Sequence, residues 1–363
     1  MKVLAAFGTR PEAIKMCPVI TELRRRGCEV RVCLTGQHRE MLADVMNAFG
    51  VAADMNLEVM RPGQTLFDIN REVLSGMDRV LDEEKPDVVL VHGDTTTTFA
   101  VALSCYYKRI KVGHVEAGLR TGDVFSPYPE EFNRRAVTIV ADLNFAPTEA
   151  AKRNLLREGV PEERVFVTGN TEIDALKTTV RADYANPLLD WAKGSRLVLM
   201  TAHRRENFGE PFENIFSAVR RAVEETPDVK LIYPVHPNPR VREAAKALEG
   251  CDRIKLTDPL GVIDFHNILA RCFLALTDSG GIQEDAPALD KPVLVLRRTT
   301  ERPEGIATGA LKLVGTDEAA VYTEFRRLLD DEAEYSRMAF ASNPYGDGNA
   351  ASRVADALLH CVM

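Results

Sequence analysis

Two acids in this 363-residue chain directly follow short apolar runs: Asp94 after His92-Gly93, and Glu116 after His114-Val115. The runs, 88–91 and 111–115, are rich in β-branched residues and lack polar alternation. That is the pattern of strands buried on both faces of a parallel sheet. Residues 95–107 between them are long enough for a crossover helix, so the unit reads strand–helix–strand with a right-handed connection. In an open α/β sheet the carboxyl ends of neighbouring strands open on one crevice. Asp94 and Glu116 are therefore expected to share it, as candidates for a proton transfer. Two further acids, Glu130-Glu131, open a helix behind a loop punctuated by Gly122, Pro127 and Pro129. One of them reads as a helix-dipole partner; Arg134, one turn after Glu130, is spaced to pair with Glu130 and fix its direction.

Cations and backbone donors complement these acids. Arg10 and Lys15 flank the strand-to-helix turn Gly8-Thr9-Arg10-Pro11, where N–H groups and positive charge can hold an anion. The same two residues read equally well as a surface pair. Thr95 to Thr98 serve either as an N-cap or as hydroxyls for a ligand. His203 stands at a strand exit among Arg204, Arg205 and Glu206, company that argues against burial without purpose. After another strand comes Asp278-Ser279-Gly280-Gly281. Its glycines admit close backbone approach, Ser279 adds a hydroxyl, and the following helix aims N–H groups at an anion. With acids behind it suited to ribose hydroxyls, this stretch reads as a nucleotide diphosphate site. His38 reads as a local hydrogen-bonding residue, and Arg24-Arg25-Arg26 as dipole complementation on a solvated helix face.

These residues need two scaffolds. The length favours two domains, and strands read at 3–7, 30–34, 88–91, 111–115, 143–146 and 165–168, then at 197–201, 230–234, 254–256, 273–277 and 293–296. Helical segments between them make each half a doubly wound α/β domain, with the crossing at Gly169-Asn170. A net charge of −8 argues against a general nucleic-acid binder. No apolar run approaches the roughly 20 residues that span a bilayer, and the N-terminus lacks a secretory pattern. Seven scattered cysteines without a Cys-x-x-Cys pair suit a reducing cytoplasm, with the thiols as small core residues.

Taken in order, several stretches resemble the non-hydrolysing UDP-N-acetylglucosamine 2-epimerase family. They are Phe-Gly-Thr-Arg-Pro-Glu-Ala-Ile-Lys (7–15), His-Gly-Asp-Thr-Thr-Thr-Thr (92–98), Gly-His-Val-Glu-Ala-Gly-Leu-Arg-Thr-Gly-Asp (113–123) and Pro-Glu-Glu-Phe-Asn-Arg (129–134). In the second half they are His-Arg-Arg-Glu-Asn (203–207), Asp-Ser-Gly-Gly-Ile-Gln-Glu (278–284), Thr-Thr-Glu-Arg-Pro-Glu (299–304) and Asn-Pro-Tyr-Gly-Asp-Gly (343–348). The resemblance implies a GT-B fold of two Rossmann-like domains, 1–170 and a UDP-binding 171–345, with the active site in the cleft between them. It also implies a last helix, about 346–363, packed back on the first domain.

The reaction so implied is reversible interconversion of UDP-GlcNAc and UDP-ManNAc, by elimination of UDP to 2-acetamidoglucal and re-addition with inversion at C2. The family's catalytic positions fall on Asp94, Glu116, Glu130 and His203. Its substrate positions fall on Arg10, Lys15, Arg134, Phe265, Ser279, Gly280, Gly281, Asp285 and Arg302. Asp285 stands where many relatives have a longer Glu for ribose, and Leu260 where some have Gln near uridine. Gly-Thr-Arg-Pro-Glu at the first turn favours the plain N-acetyl sugar. Neither NAD nor a metal is expected, since there is no net redox change and no His/Cys cluster has ligand spacing. Members are usually homodimers, and bacterial ones are often activated by UDP-GlcNAc at a second site; the product feeds cell-surface polysaccharide. The alternatives are a GT-B glycosyltransferase, which would need an acceptor, and a non-catalytic nucleotide-sugar sensor, which would need no cluster of acids.

Overall fold

Short apolar segments rich in Val, Leu and Ile become the strands of two all-parallel sheets, and the longer amphipathic segments between them become helices on both faces. The computed structural model describes residues 1–36, 39–61, 63–300 and 302–362, without the side chains of residues 39–41. His38 and Glu301 lie outside the described residues. The first sheet contains β1 (Lys2–Phe7), β2 (Glu29–Leu34), β3 (Met55–Asn56), β4 (Val88–His92), β5 (Lys111–Val115), β6 (Leu143–Ala146) and β7 (Val165–Val167). Their order is β3-β2-β1-β4-β5-β6-β7, so the winding reverses between β1 and β4. The helices are α1 (Arg10–Arg25), α2 (Arg39–Ala48), α3 (Leu66–Glu84), α4 (Thr96–Lys108), α5 (Glu130–Val140), α6 (Glu149–Arg157) and α7 (Thr171–Thr179).

The second sheet repeats the scheme with β8 (Arg196–Thr201), β9 (Val229–Pro234), β10 (Ile254–Thr257), β11 (Leu274–Thr277), β12 (Val293–Val295) and β13 (Leu311–Leu313). Its order, β10-β9-β8-β11-β12-β13, reverses between β8 and β11. Around it lie α8 (Pro187–Ala192), α9 (Glu210–Glu224), α10 (Pro239–Ala245), α11 (Val262–Arg271), α12 (Gly280–Asp285), α13 (Pro303–Thr308), α14 (Glu318–Asp330) and α15 (Glu332–Ala339). The edge strands β3 and β13 escape a sequence reading: β3 has only two residues, and Leu-Lys-Leu of β13 lacks the valines that mark the equally short β7 and β12.

The chain forms two compact units, Met1–Thr178 with Tyr345–Met363, and Thr179–Pro344. It leaves the first unit at Thr178, a helix later than Asn170, and returns in a final helix, α16 (Ala350–Val362). Polar and apolar contacts hold that helix. The buried Asp174 carboxylate of α7 accepts from the N–H groups of Ala350 (3.0 Å) and Ala351 (2.9 Å), satisfying donors that a helix start leaves open. Arg26 donates to Ser352 Oγ (2.6 Å) and pairs with Asp356, so this arginine clasps α16 in addition to complementing a helix end. Val354 and Leu358 are fully buried, and Leu358 lies over Gly113 of β5, where a β-carbon would sit 3.8 Å from it. Truncating Leu358 to Ala would cost about 2–5 kcal/mol.

The cysteines behave as core residues: Cys17, Cys28, Cys33, Cys105 and Cys272 are buried free thiols. No helix among the described residues is long and apolar enough to cross a membrane.

Candidate active site

Both sheets place chemistry at their winding reversal, where crossover loops part and leave a crevice at the strand ends. In the first unit the loops after β1 and β4 are tied together by Glu12. It completes a capping box with Thr9, and its Oε2 accepts from the N–H groups of Gly8 (2.8 Å) and Thr9 (2.7 Å). Its Oε1 accepts from the hydroxyl of Thr95 (2.7 Å) and lies 3.1 Å from that of Thr98. Those two threonines thus serve the scaffold: Thr95 also caps α4, and Thr98 donates to the His92 carbonyl (2.7 Å).

Around this frame the acids are held by cations from the helices. Lys15, buried in α1, pairs with Glu116 and lies 3.3 Å from Glu172 of α7. Glu116 sits at φ +64°, a left-handed conformation that costs a side-chain-bearing residue energy and is met at functional positions. The buried His92 brings Nε2 to 3.4 Å from Glu116 Oε2. Neither His92 nor Glu172 had a role in the sequence reading. A histidine inside an apolar strand and an acid in a helix's first turn both carry ordinary structural explanations.

Asp94 is built differently. Arg134 of α5 pairs with its carboxylate, and Asn133 Nδ2 donates to its carbonyl (2.9 Å). Arg134 also bonds the fully buried Glu131 (3.2 Å), which accepts from the N–H groups of Thr121 (3.1 Å) and Gly122 (3.3 Å). Arg134 therefore bridges Asp94 and Glu131, and none of its described bonds reaches Glu130, the partner that helix spacing suggested. Burial pushes the Asp94 carboxyl above its ordinary range, Arg134 opposes this, and the nearby charges of Glu116 and Glu130 add to the rise. Behind it the fully buried His114 donates from Nε2 to the Gly93 carbonyl (2.8 Å). Burial drops the pKa of His114 to about 3, so its imidazole stays neutral as a fixed donor to the turn that carries Asp94. Arg10 heads α1, its charge opposed by burial and supported by Asp44.

In the second unit, β8 and β11 run side by side with Thr201 opposite Thr277. Asp278 Oδ2 accepts from the N–H groups of His203 (2.8 Å) and Arg204 (2.8 Å) and from Asn207 Nδ2 (3.0 Å). That clamp fixes the His203 loop. The His203 ring stacks on His236 at 5.4 Å, and burial lowers its pKa against the opposing pull of Asp278. Ser279 opens α12 without its hydroxyl capping the helix. The helix is short, and Gln283 and Glu284 are buried to organise the loop that follows β12: Thr300 donates to Gln283 Oε1 (2.6 Å), and Arg302 pairs with Glu284. Glu284 is thereby engaged by Arg302, and Asp285 is buried with its carboxylate 3.7 Å from His266 Nε2. Phe265 and Leu260 are half-buried against the core beneath α11.

The first unit thus gathers Lys15, Glu116, Asp94 and Arg134 within one network, with Glu130 near enough for its charge to reach Asp94. The second gathers His203 with Asp278-Ser279 and, one helix away, Arg302 with Glu284. A raised carboxyl beside ion-paired carboxylates can exchange protons; a hydroxyl beside glycine amides can hold an anion.

Known proteins resemble this chain along nearly its whole length. A family model described as UDP-N-acetylglucosamine 2-epimerase matches residues 21–359. A UDP-N-acetylglucosamine 2-epimerase of Bacillus subtilis is 55% identical over 99% of this chain and 95% of its own. The crystal structure of UDP-GlcNAc 2-epimerase from Neisseria meningitidis bound to UDP-GlcNAc superposes with a TM-score of 0.91, at 44% identity, covering 99% of this chain and 100% of that one. The Methanocaldococcus jannaschii UDP-GlcNAc 2-epimerase, in complex with UDP-GlcNAc and UDP, does so at 0.83 and 33% identity, covering 99% and 100%. Agreement of this depth over the whole two-domain α/β fold leaves one conclusion: the chain belongs to the UDP-N-acetylglucosamine 2-epimerase family.

Proposed function

We propose that this chain inverts C2 of UDP-N-acetylglucosamine, interconverting it with UDP-N-acetylmannosamine. The proton at C2 lies beside an acetamido nitrogen and is not acidic by itself. It becomes removable as the C1–O bond to UDP weakens and positive charge builds at C1. A carboxylate takes the C2 proton, the electron pair forms the C1=C2 bond of 2-acetamidoglucal, and the C1–O pair leaves with UDP. Return of a proton to the opposite face of C2 and re-formation of C1–O give the epimer.

Ser279, Gly280, Gly281, Arg10 and Arg302, with His203, are assigned to the diphosphate, where they offset developing charge on the leaving group. Phe265 and Asp285 are assigned to the nucleoside side. Asp94, Glu116 and Glu130 share the proton work and favour the oxocarbenium-like state, with Lys15 and Arg134 holding two of them in place. The observation that carries this reading is the contrast between neighbouring strand ends: Asp94 is pushed toward its protonated form, while Glu116 is held by Lys15. The Neisseria enzyme's complex with UDP-GlcNAc supports the same ligand here. In D2O the epimer should gain deuterium at C2; product without deuterium would overturn elimination and re-addition.

We also propose a homodimer. Helices α3, α4 and α5 leave Phe67, Tyr106, Tyr107, Phe132 and Ile139 exposed, a wide apolar display for a single copy. Sedimentation should give a dimer for the native chain and a monomer for I139D; an unchanged dimer would place the interface elsewhere. A sigmoidal rate against UDP-GlcNAc concentration would support a second, activating nucleotide-sugar site, and a hyperbolic one would count against it. The proposed setting is the cytoplasm, supplying an amino sugar for surface polysaccharide.

A further inference from the structure

We propose that Asp278 is the positioning residue for His203, holding the histidine's loop with one carboxylate oxygen and keeping the other for its imidazole. This rests on the assignment of His203 to the leaving diphosphate. Asp278 directly follows β11 and His203 follows β8, its neighbour in the sheet, so the pairing of Thr277 with Thr201 brings the two together. The Asp278 side chain is fully buried. An ionised carboxylate in such a place must find hydrogen bonds or lose its charge.

Its two oxygens are used unequally. Oδ2 takes the N–H groups of His203 and Arg204 and the amide of Asn207, a full set. Oδ1 is buried with no hydrogen-bond partner. It faces His203 Nε2 at 3.9 Å, about 1 Å beyond a charge-assisted hydrogen bond. A structural clamp alone would not need that second oxygen, and a buried unsatisfied acceptor is costly. A small turn of the imidazole, toward a ligand that draws its other edge, would close the gap.

The other groups facing this ring are Arg204, which disfavours its charged form, and His236, stacked on it. Asp278 is the only carboxylate acting on it among the described residues. With Nε2–H turned to Asp278, Nδ1 is left for the ligand side, and proton gain there is stabilised by the carboxylate behind.

D278N separates the two oxygens. Its amide oxygen can still accept the three loop bonds, while its NH2 faces Nε2 in place of an anion. The imidazole titration of His203, followed by NMR in the full-length enzyme with UDP bound, should move to lower pH in D278N. kcat should fall about 10- to 100-fold with KM changed far less. N207A, which loosens the clamp but keeps the charge, should leave the His203 midpoint in place. An unmoved midpoint in D278N, or an equal shift in N207A, would overturn the proposal. Should D278N fail to fold, the wild-type ring decides: a proton on Nε2 supports the arrangement, and a neutral tautomer protonated on Nδ1 overturns it. Because the titration reads the imidazole and not turnover, it stands apart from H203A, whose wild-type activity would remove His203 from the reaction.

Discussion

The two units share one sheet order and differ in how they arm it. In the first, charge is delivered from helices to strand ends: Lys15 of α1 to Glu116, Arg134 of α5 to Asp94. In the second, buried charge is turned inward, Asp278 to backbone amides and Glu284 to Arg302, leaving Ser279 and the glycine amides at the carboxyl end of β11. Winding decides where a site falls, and side chains decide what it does there. Under the proposed function the first unit supplies the acids that handle protons and the second most of the grip on the diphosphate.

The contrast can be broken most sharply at the acids. D94N and E116Q should each lower kcat by about 10²- to 10⁴-fold. UDP affinity, by calorimetry, should hold within about tenfold, or ~1.4 kcal/mol. A larger loss of affinity would make those acids binding groups first of all. The second unit should fail in the opposite manner. R302M strands the buried Glu284 without its cation and should cost about 3–5 kcal/mol in denaturant unfolding. Milder, S279A removes a hydroxyl that caps nothing and should weaken UDP binding by about 3- to 10-fold, with kcat falling by no more than a similar factor.

The smallest effect is one of pH. Asp94 stands above its ordinary range through burial, and Arg134 holds it down. R134M removes the charge that favours the carboxylate, so the carboxyl protonates at higher pH. The kcat/KM limb governed by Asp94 should therefore move upward, whichever protonation state is active. A limb that stays or moves down would separate Arg134 from Asp94.

Much of this was legible beforehand, for a local reason. A short β-branched run ending in a polar residue marks a buried strand and its tip, so the strand-end positions of Asp94, Glu116, His203 and Ser279 could be located from pattern alone. Partners distant in sequence could not. Helix spacing offered Arg134 to Glu130, yet its bonds go to Glu131, also within reach on the helix and fixed by the amides of Thr121 and Gly122, and to Asp94, 40 residues away. Thr95 and Thr98 looked available to a ligand because nothing in 92–98 announces that Glu12 lies across the crevice floor. Arg26 looked solvated for the same reason: Asp356 is hundreds of residues away.

The return of α16 has a bearing on how the protein is made. Residues Thr179–Pro344 are all synthesised before Ala350 emerges, so a nascent chain holds a complete second unit while the first still lacks its closing helix. Until then Asp174 has no amides to cap, and the ground beneath Val354 and Leu358 stays open to water or to a chaperone. The unit built on β1 is therefore the later to close, although most of its residues precede the second unit in the chain.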